Sequence, residues 1–137
     1  MSAVLFDGVT WLGVFLGMVG AMAWGSLYYS PLMFMKAWLG AMGKALEDIT
    51  SPVQALINAA VMNLVTALGI NVVMVMQGVT SLSGAIGVAV FLWVVFCLTT
   101  ELLHDRYNDI PVKLSVINAG NTLGAYIVMA VIIQLLR

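Results

Sequence analysis

The fold this sequence predicts is an all-α integral membrane bundle of four transmembrane helices, with a short interfacial amphipathic helix between the first two. Three observations predict it. Hydrophobic residues make up 63% of the chain and charged residues only 8%. Mean hydropathy is +1.09. The apolar residues also fall into four long runs, each of about the 20 residues needed to cross a bilayer. A soluble domain carries about 25% charged residues, and a small one buries only about two-thirds of its surface. Lipid, not water, is therefore the solvent for which this surface is suited.

The first span, about 9–29, is uncharged. Asp7 precedes it, with no Lys or Arg, so it reads as a retained span although Ala21-Met22-Ala23 resembles a leader cleavage site. The second, about 53–76, is also uncharged. The third, about 82–103, holds Glu101 near its end, and the fourth, about 112–136, opens with Lys113. The four spans form a single domain over residues 1–137.

The linker between the first two spans is patterned. Ser30-Pro31 reads as an N-cap followed by Pro in the first turn. Leu32, Met35, Leu39 and Met42 then recur at helical spacing beside Phe34 and Trp38, and Gly43 supplies a stop. This predicts a helix over about 31–43 lying in the interface. Ser51-Pro52-Val53-Gln54 matches a capping box for the second span. Lys36, Lys44, Arg106 and Lys113 flank one side of the membrane, whereas only Arg137 lies on the other. The positive-inside rule then puts both termini outside. Tyr28, Tyr29, Trp38 and Tyr107 fall at the cytoplasmic boundary and Trp11 at the outer one, as aromatic belts do.

Two kinds of residue inside the spans carry specific expectations. Gly13, Gly17, Ala21 and Gly25, each four apart, form a small-residue stripe on the first span, and Gly120 and Gly124 repeat the spacing on the fourth. Such stripes let helix backbones approach closely in lipid, within one chain or between two. Polar residues in lipid face a bundle interior. At about 1.5 Å per residue, Asn58 and Asn118 lie at matching depth, and Asn63, Asn121 and Thr122 lie deeper, near the midplane; Thr66 is a further polar residue of the second span. These predict two polar layers linking the second and fourth spans, either as interhelical hydrogen bonds or as the lining of a solute pathway.

Glu101, His104 and Asp105 share a helix face at i, i+3, i+4, and Glu-x-x-His is a spacing used by di-metal bundles. The motif occurs once, so the three residues read as an interfacial cluster with metal binding as the alternative. Cys97 is the only cysteine, which excludes a disulfide framework. A net charge of −1 gives no basic field for nucleic acid. No nucleophile stands with a base, and no phosphate or dinucleotide motif is present. Neither catalysis nor a cofactor is expected.

Two segments resemble a known family. Trp24-Gly25-Ser26-Leu27-Tyr28-Tyr29-Ser30-Pro31, continued by Phe34 and Trp38, and Leu114-Ser115-Val116-Ile117-Asn118-Ala119-Gly120 resemble the bacterial four-helix membrane family filed as domain of unknown function seventeen-sixty-one. The resemblance covers essentially the whole chain. Asn121 departs from the family pattern, which commonly has an aromatic residue there. The family has no agreed activity, so the resemblance implies architecture and a bacterial cytoplasmic membrane. The expectation for function is a structural or accessory subunit of a membrane assembly, as a homodimer or in a larger complex. The alternative is a small oligomeric transporter or channel for an ion or small solute, with an Asn-lined interior.

Overall fold

The structure, a computed structural model, describes residues 5–49 and 52–137. Four helices long and apolar enough to cross a membrane dominate it: α1 (Trp11–Tyr28), α3 (Pro52–Met76), α4 (Leu82–Tyr107) and α5 (Val112–Leu135). The short α2 (Met35–Met42) lies in the linker between α1 and α3. Among the described residues there is no strand. The predicted spans are thus present within a few residues, except that α4 runs on to Tyr107 and leaves only a tight turn before α5. Asp109 takes a left-handed φ of 54° in that turn.

The linker departs from expectation at its start. Ser30-Pro31 does not cap α2; it reverses the chain at the end of α1. The Ser30 hydroxyl donates to the Leu27 carbonyl at 2.6 Å and accepts from the Leu32 amide at 3.2 Å. Pro31 has no amide hydrogen with which to prolong α1. The helix therefore begins only at Met35, and Leu32 is 85% exposed instead of lying on the helix's covered face. Gly43 ends α2 as predicted, in the left-handed region at φ 67°. The amides of Gly43 and Lys44 reach back to the carbonyls of Gly40 and Leu39, at 3.2 and 3.1 Å, as a Schellman closure does. Pro52 opens α3 at its first position. The serine of the predicted capping box, Ser51, lies outside the described residues.

The helix α5 is central. It packs most extensively on α1 and then on α4, while α3 fills the angle between α1 and α5. The core lies at the end of the bundle that carries the termini. There Val14, Ile70, Met74, Ala89, Met129 and Ile133 interlock. Asn71 is wholly buried beside them, its Nδ2 donating to the Thr10 carbonyl at 3.5 Å and its Oδ1 without a partner. Three of the four predicted stripe residues, Gly13, Gly17 and Ala21, are buried. A Cβ on Gly13 would stand 3.3 Å from the Ile133 Cα, and one on Gly17 3.6 Å from the Met129 Cα. The stripe therefore does its work within the chain, by letting α1 lie directly on the α5 backbone.

The end of the bundle that carries the 29–52 linker is built differently. The first buried residue of α3 is Ala67, and residues 52–58 are all exposed. The N-terminal half of α3 thus stands away from the other helices. Midway along the bundle, α4 contains a π-helical stretch, Trp93–Leu98. It separates two regular α-helical pieces, Leu82–Leu92 and Thr99–Tyr107.

Candidate functional site

The sequence motifs at the end of α1 and the start of α5 meet face to face. Trp24 and Tyr28, four residues apart, lie on one face of α1 and reach two carbonyls four residues apart on α5. The Trp24 indole donates to the Asn121 carbonyl at 3.0 Å, and the Tyr28 hydroxyl donates to the Ile117 carbonyl at 2.7 Å. Gly124 and Gly120 make room for the rings: a Cβ at Gly124 would collide with the Trp24 indole, and one at Gly120 with the Tyr28 hydroxyl. These two glycines were expected to bring helix backbones together, and instead they are notches for aromatic side chains. Tyr29 donates to Asn118 Oδ1 at 2.8 Å. Phe34 stacks on Tyr28 with ring centroids 4.5 Å apart, and Trp38 packs on Tyr29 at 4.9 Å. Each such interhelical hydrogen bond contributes about 0.6–2 kcal/mol in lipid.

Beside this seam, where α3 stands off, a cleft of about 700 Å³ opens between α1, α3 and α5. Gly25, the fourth residue of the stripe, lines it, and a Cβ there would meet α5 only at Asn121 Oδ1, 3.7 Å away, rather than at its backbone. The reason is geometric. At 3.6 residues per turn, a strict four-residue repeat winds round the helix by about 40° per step. Gly25 therefore lies about 120° from Gly13, and Trp24 and Tyr28 take over the face towards α5. Asn63 and Thr66 of α3 and Asn121 and Thr122 of α5 also line the cleft. Among the described residues its lining contains no Asp, Glu, Lys, Arg or His. Trp38 and Ile49 of the linker border it, together with Tyr29.

The predicted amide layers do not form. Asn118 is taken by Tyr29. Asn58 is exposed. The Thr66 hydroxyl turns back to the Met62 carbonyl of its own helix at 2.9 Å. Asn121 Oδ1 is buried without any partner. Asn63 and Asn121 belong to opposite walls of a space rather than to a joint. The splayed half of α3 is what separates them, and depth along a helix carries no information about splay.

Behind the cleft, Thr122 forms a relay. Its hydroxyl accepts from the Trp93 indole at 2.9 Å and lies 3.1 Å from both Glu101 Oε2 and the Ala119 carbonyl. A hydroxyl has one proton, so only one of those two acceptors is served at a time. Glu101, the acid of the third span, thus faces α5. The other candidates for a metal site go elsewhere. Asp105 Oδ2 accepts from the Ser115 hydroxyl at 2.5 Å, and Ser115 accepts from Arg106 at 2.8 Å. His104 is exposed. Among the described residues, no three His, Cys, Asp or Glu side chains gather as metal ligands would.

Trp93, Cys97 and Tyr126 escaped the sequence reading of the site. Trp93 holds Thr122, and Cys97 and Tyr126 line the cleft. One signal was present. Ala85, Ala89, Trp93, Cys97, Glu101 and Asp105 recur every four residues. Ala85 and Ala89 are buried in the core, Trp93 and Glu101 meet Thr122, and Asp105 meets Ser115. A strict four-residue period is longer than the 3.6 of an α-helix, and the wider turns of the π stretch take up part of the excess.

Comparison with known proteins gives one family. The model of a family described as protein of unknown function, DUF1761, matches residues 12–134. No curated protein and no solved structure matches the chain.

Proposed function

The chain belongs to the DUF1761 family of proteins of unknown function, and we propose that it is a membrane-embedded binding protein for a small solute held within one leaflet. The observation that carries this reading is the cleft of about 700 Å³ set among transmembrane helices. Its size falls within the range of about 300–1,000 Å³ typical of small-molecule sites. The packed core closes the opposite half of the bundle, which supports a blind binding site over a continuous channel. The small-residue faces that suggested a subunit or a homodimer are occupied within the chain by α5 and by aromatic rings. The binding reading therefore needs no second copy. It assigns no chemical turnover. It adopts a bacterial cytoplasmic membrane as location, as the family resemblance implies, and both termini outside on the strength of the Lys and Arg distribution.

Native mass spectrometry of the chain purified from its own membranes tests the reading. The expected result is a non-covalent small-molecule adduct that is lost in Ala59→Trp, because Ala59 lines the cleft on the unpacked half of α3. An adduct-free protein that co-purifies with fixed protein partners in constant ratio would instead support the accessory-subunit reading. An adduct retained by Ala59→Trp would place binding elsewhere.

A further inference from the structure

If the cleft is a binding site, its walls constrain the occupant more closely than size alone, so the identity of the ligand rests on the binding function proposed for the chain. The walls include Met22, Leu56 and Met62, which favour a hydrocarbon chain. The polar groups, among them Asn63, Asn121, Thr122 and Tyr126, are all neutral. A charged head would enter without a counter-ion, which low-dielectric surroundings penalise heavily. A bare hydrocarbon would leave those polar groups facing apolar atoms, and unmade hydrogen bonds are costly there. Asn121 already holds an oxygen without a partner, buried towards Gly25, which a ligand reaches through rotation of the amide. The group that suits both an amide oxygen and an amide nitrogen is a hydroxyl, which donates and accepts.

The same walls set the direction of approach. Tyr29, Trp38 and Ile49 border the cleft at its linker end. Its sides run between membrane spans, beside the first turns of α3, which are unpacked. A ligand therefore arrives from the bilayer, sideways. We propose that the cleft takes a neutral, single-chain amphiphile with a hydroxyl head from the leaflet on the linker side. The head sits against Asn121 and Tyr126 of α5, and the chain leaves beside the unpacked half of α3.

The test uses three probes with the same chain length and different heads: monooleoyl glycerol, oleate and 1-octadecene. Binding to the full chain in lipid nanodiscs is read by native mass spectrometry and by quenching of tryptophan fluorescence with their brominated forms. Monooleoyl glycerol should bind about tenfold more tightly than either comparator, a difference of about 1.4 kcal/mol. Asn121→Leu should abolish most of its preference over octadecene, whereas Asn58→Leu, on the exposed side of α3, should leave it unchanged. Should Asn121→Leu fail to fold, Asn63→Ala makes the same comparison from the opposite wall. Oleate or octadecene binding as well as the glycerol ester, or a preference indifferent to both Asn substitutions, would overturn the assigned ligand class and leave the binding function standing. Failure of all three probes to bind would likewise overturn the ligand class, and binding unaffected by Ala59→Trp would overturn the site as well.

Discussion

Gly124 shows how much one hydrogen atom decides in this bundle. The Trp24 indole occupies the space where a Cβ would stand, and its hydrogen bond to the Asn121 carbonyl fixes it there. Gly124→Ala should force the ring out and destabilise the protein by about 1–3 kcal/mol, the usual cost of overpacking. Gly87→Ala is the matched control, since nothing lies within 4 Å of its would-be Cβ. It should hold or raise the melting temperature in detergent, because Ala is the better helix former. Both motifs of this seam were legible in the sequence, the aromatic one as a family resemblance and the glycines as a spacing of four. Their partnership was not, since equal spacing on two helices does not say which helix meets which. The role of Asn121 was legible only as polar and deep. Whether such an amide is joined or left facing a cleft depends on how far the neighbouring helix stands away.

At the scale of elements, the spans, the interfacial helix and its glycine stop followed from hydropathy and capping chemistry. What escaped was phase. The stripe on α1 is strictly four-periodic, so an α-helix carries it gradually round from α5 to the cleft. A Cβ on Gly17 would meet the Met129 backbone at 3.6 Å, so a larger side chain there has no room. Gly17→Leu should therefore lower the melting temperature and part α1 from α5. Cysteine cross-linking between positions 13 and 133 in a Cys97→Ala background would report the separation. Unchanged cross-linking and melting would mean that α1 can rotate without cost. Gly25→Ala makes a contrasting case. Its Cβ would meet only Asn121 Oδ1, at 3.7 Å, an ordinary contact. It should leave stability nearly unaltered while narrowing the cleft.

The whole molecule divides into a sealed half at the termini and an open half at the linker. Hydropathy could not reveal that division, because a lipid-facing residue and a cleft-facing residue on α3 look alike in sequence. The proposed orientation predicts which leaflet the open half occupies. With Cys97 replaced by Ala, a membrane-impermeant thiol reagent added to intact cells should label Thr80→Cys and spare Lys44→Cys. The reverse pattern would invert the protein. The π stretch of α4 lies at the level where the sealed half gives way to the open one, and it has a consequence for changes in chain length. It stores about one residue more than an α-helix needs between the same two levels. Deleting Val94 should let those turns rewind to α while Ala85 and Glu101 keep facing α5. Deleting Ile86 removes the same mass from a regular turn and should rotate the rest of α4 by about 100°. The first deletion should melt near the wild type and the second well below it. Along α4, Trp93–Leu98 is therefore the place where such a chain can gain or lose a codon and still close the same bundle.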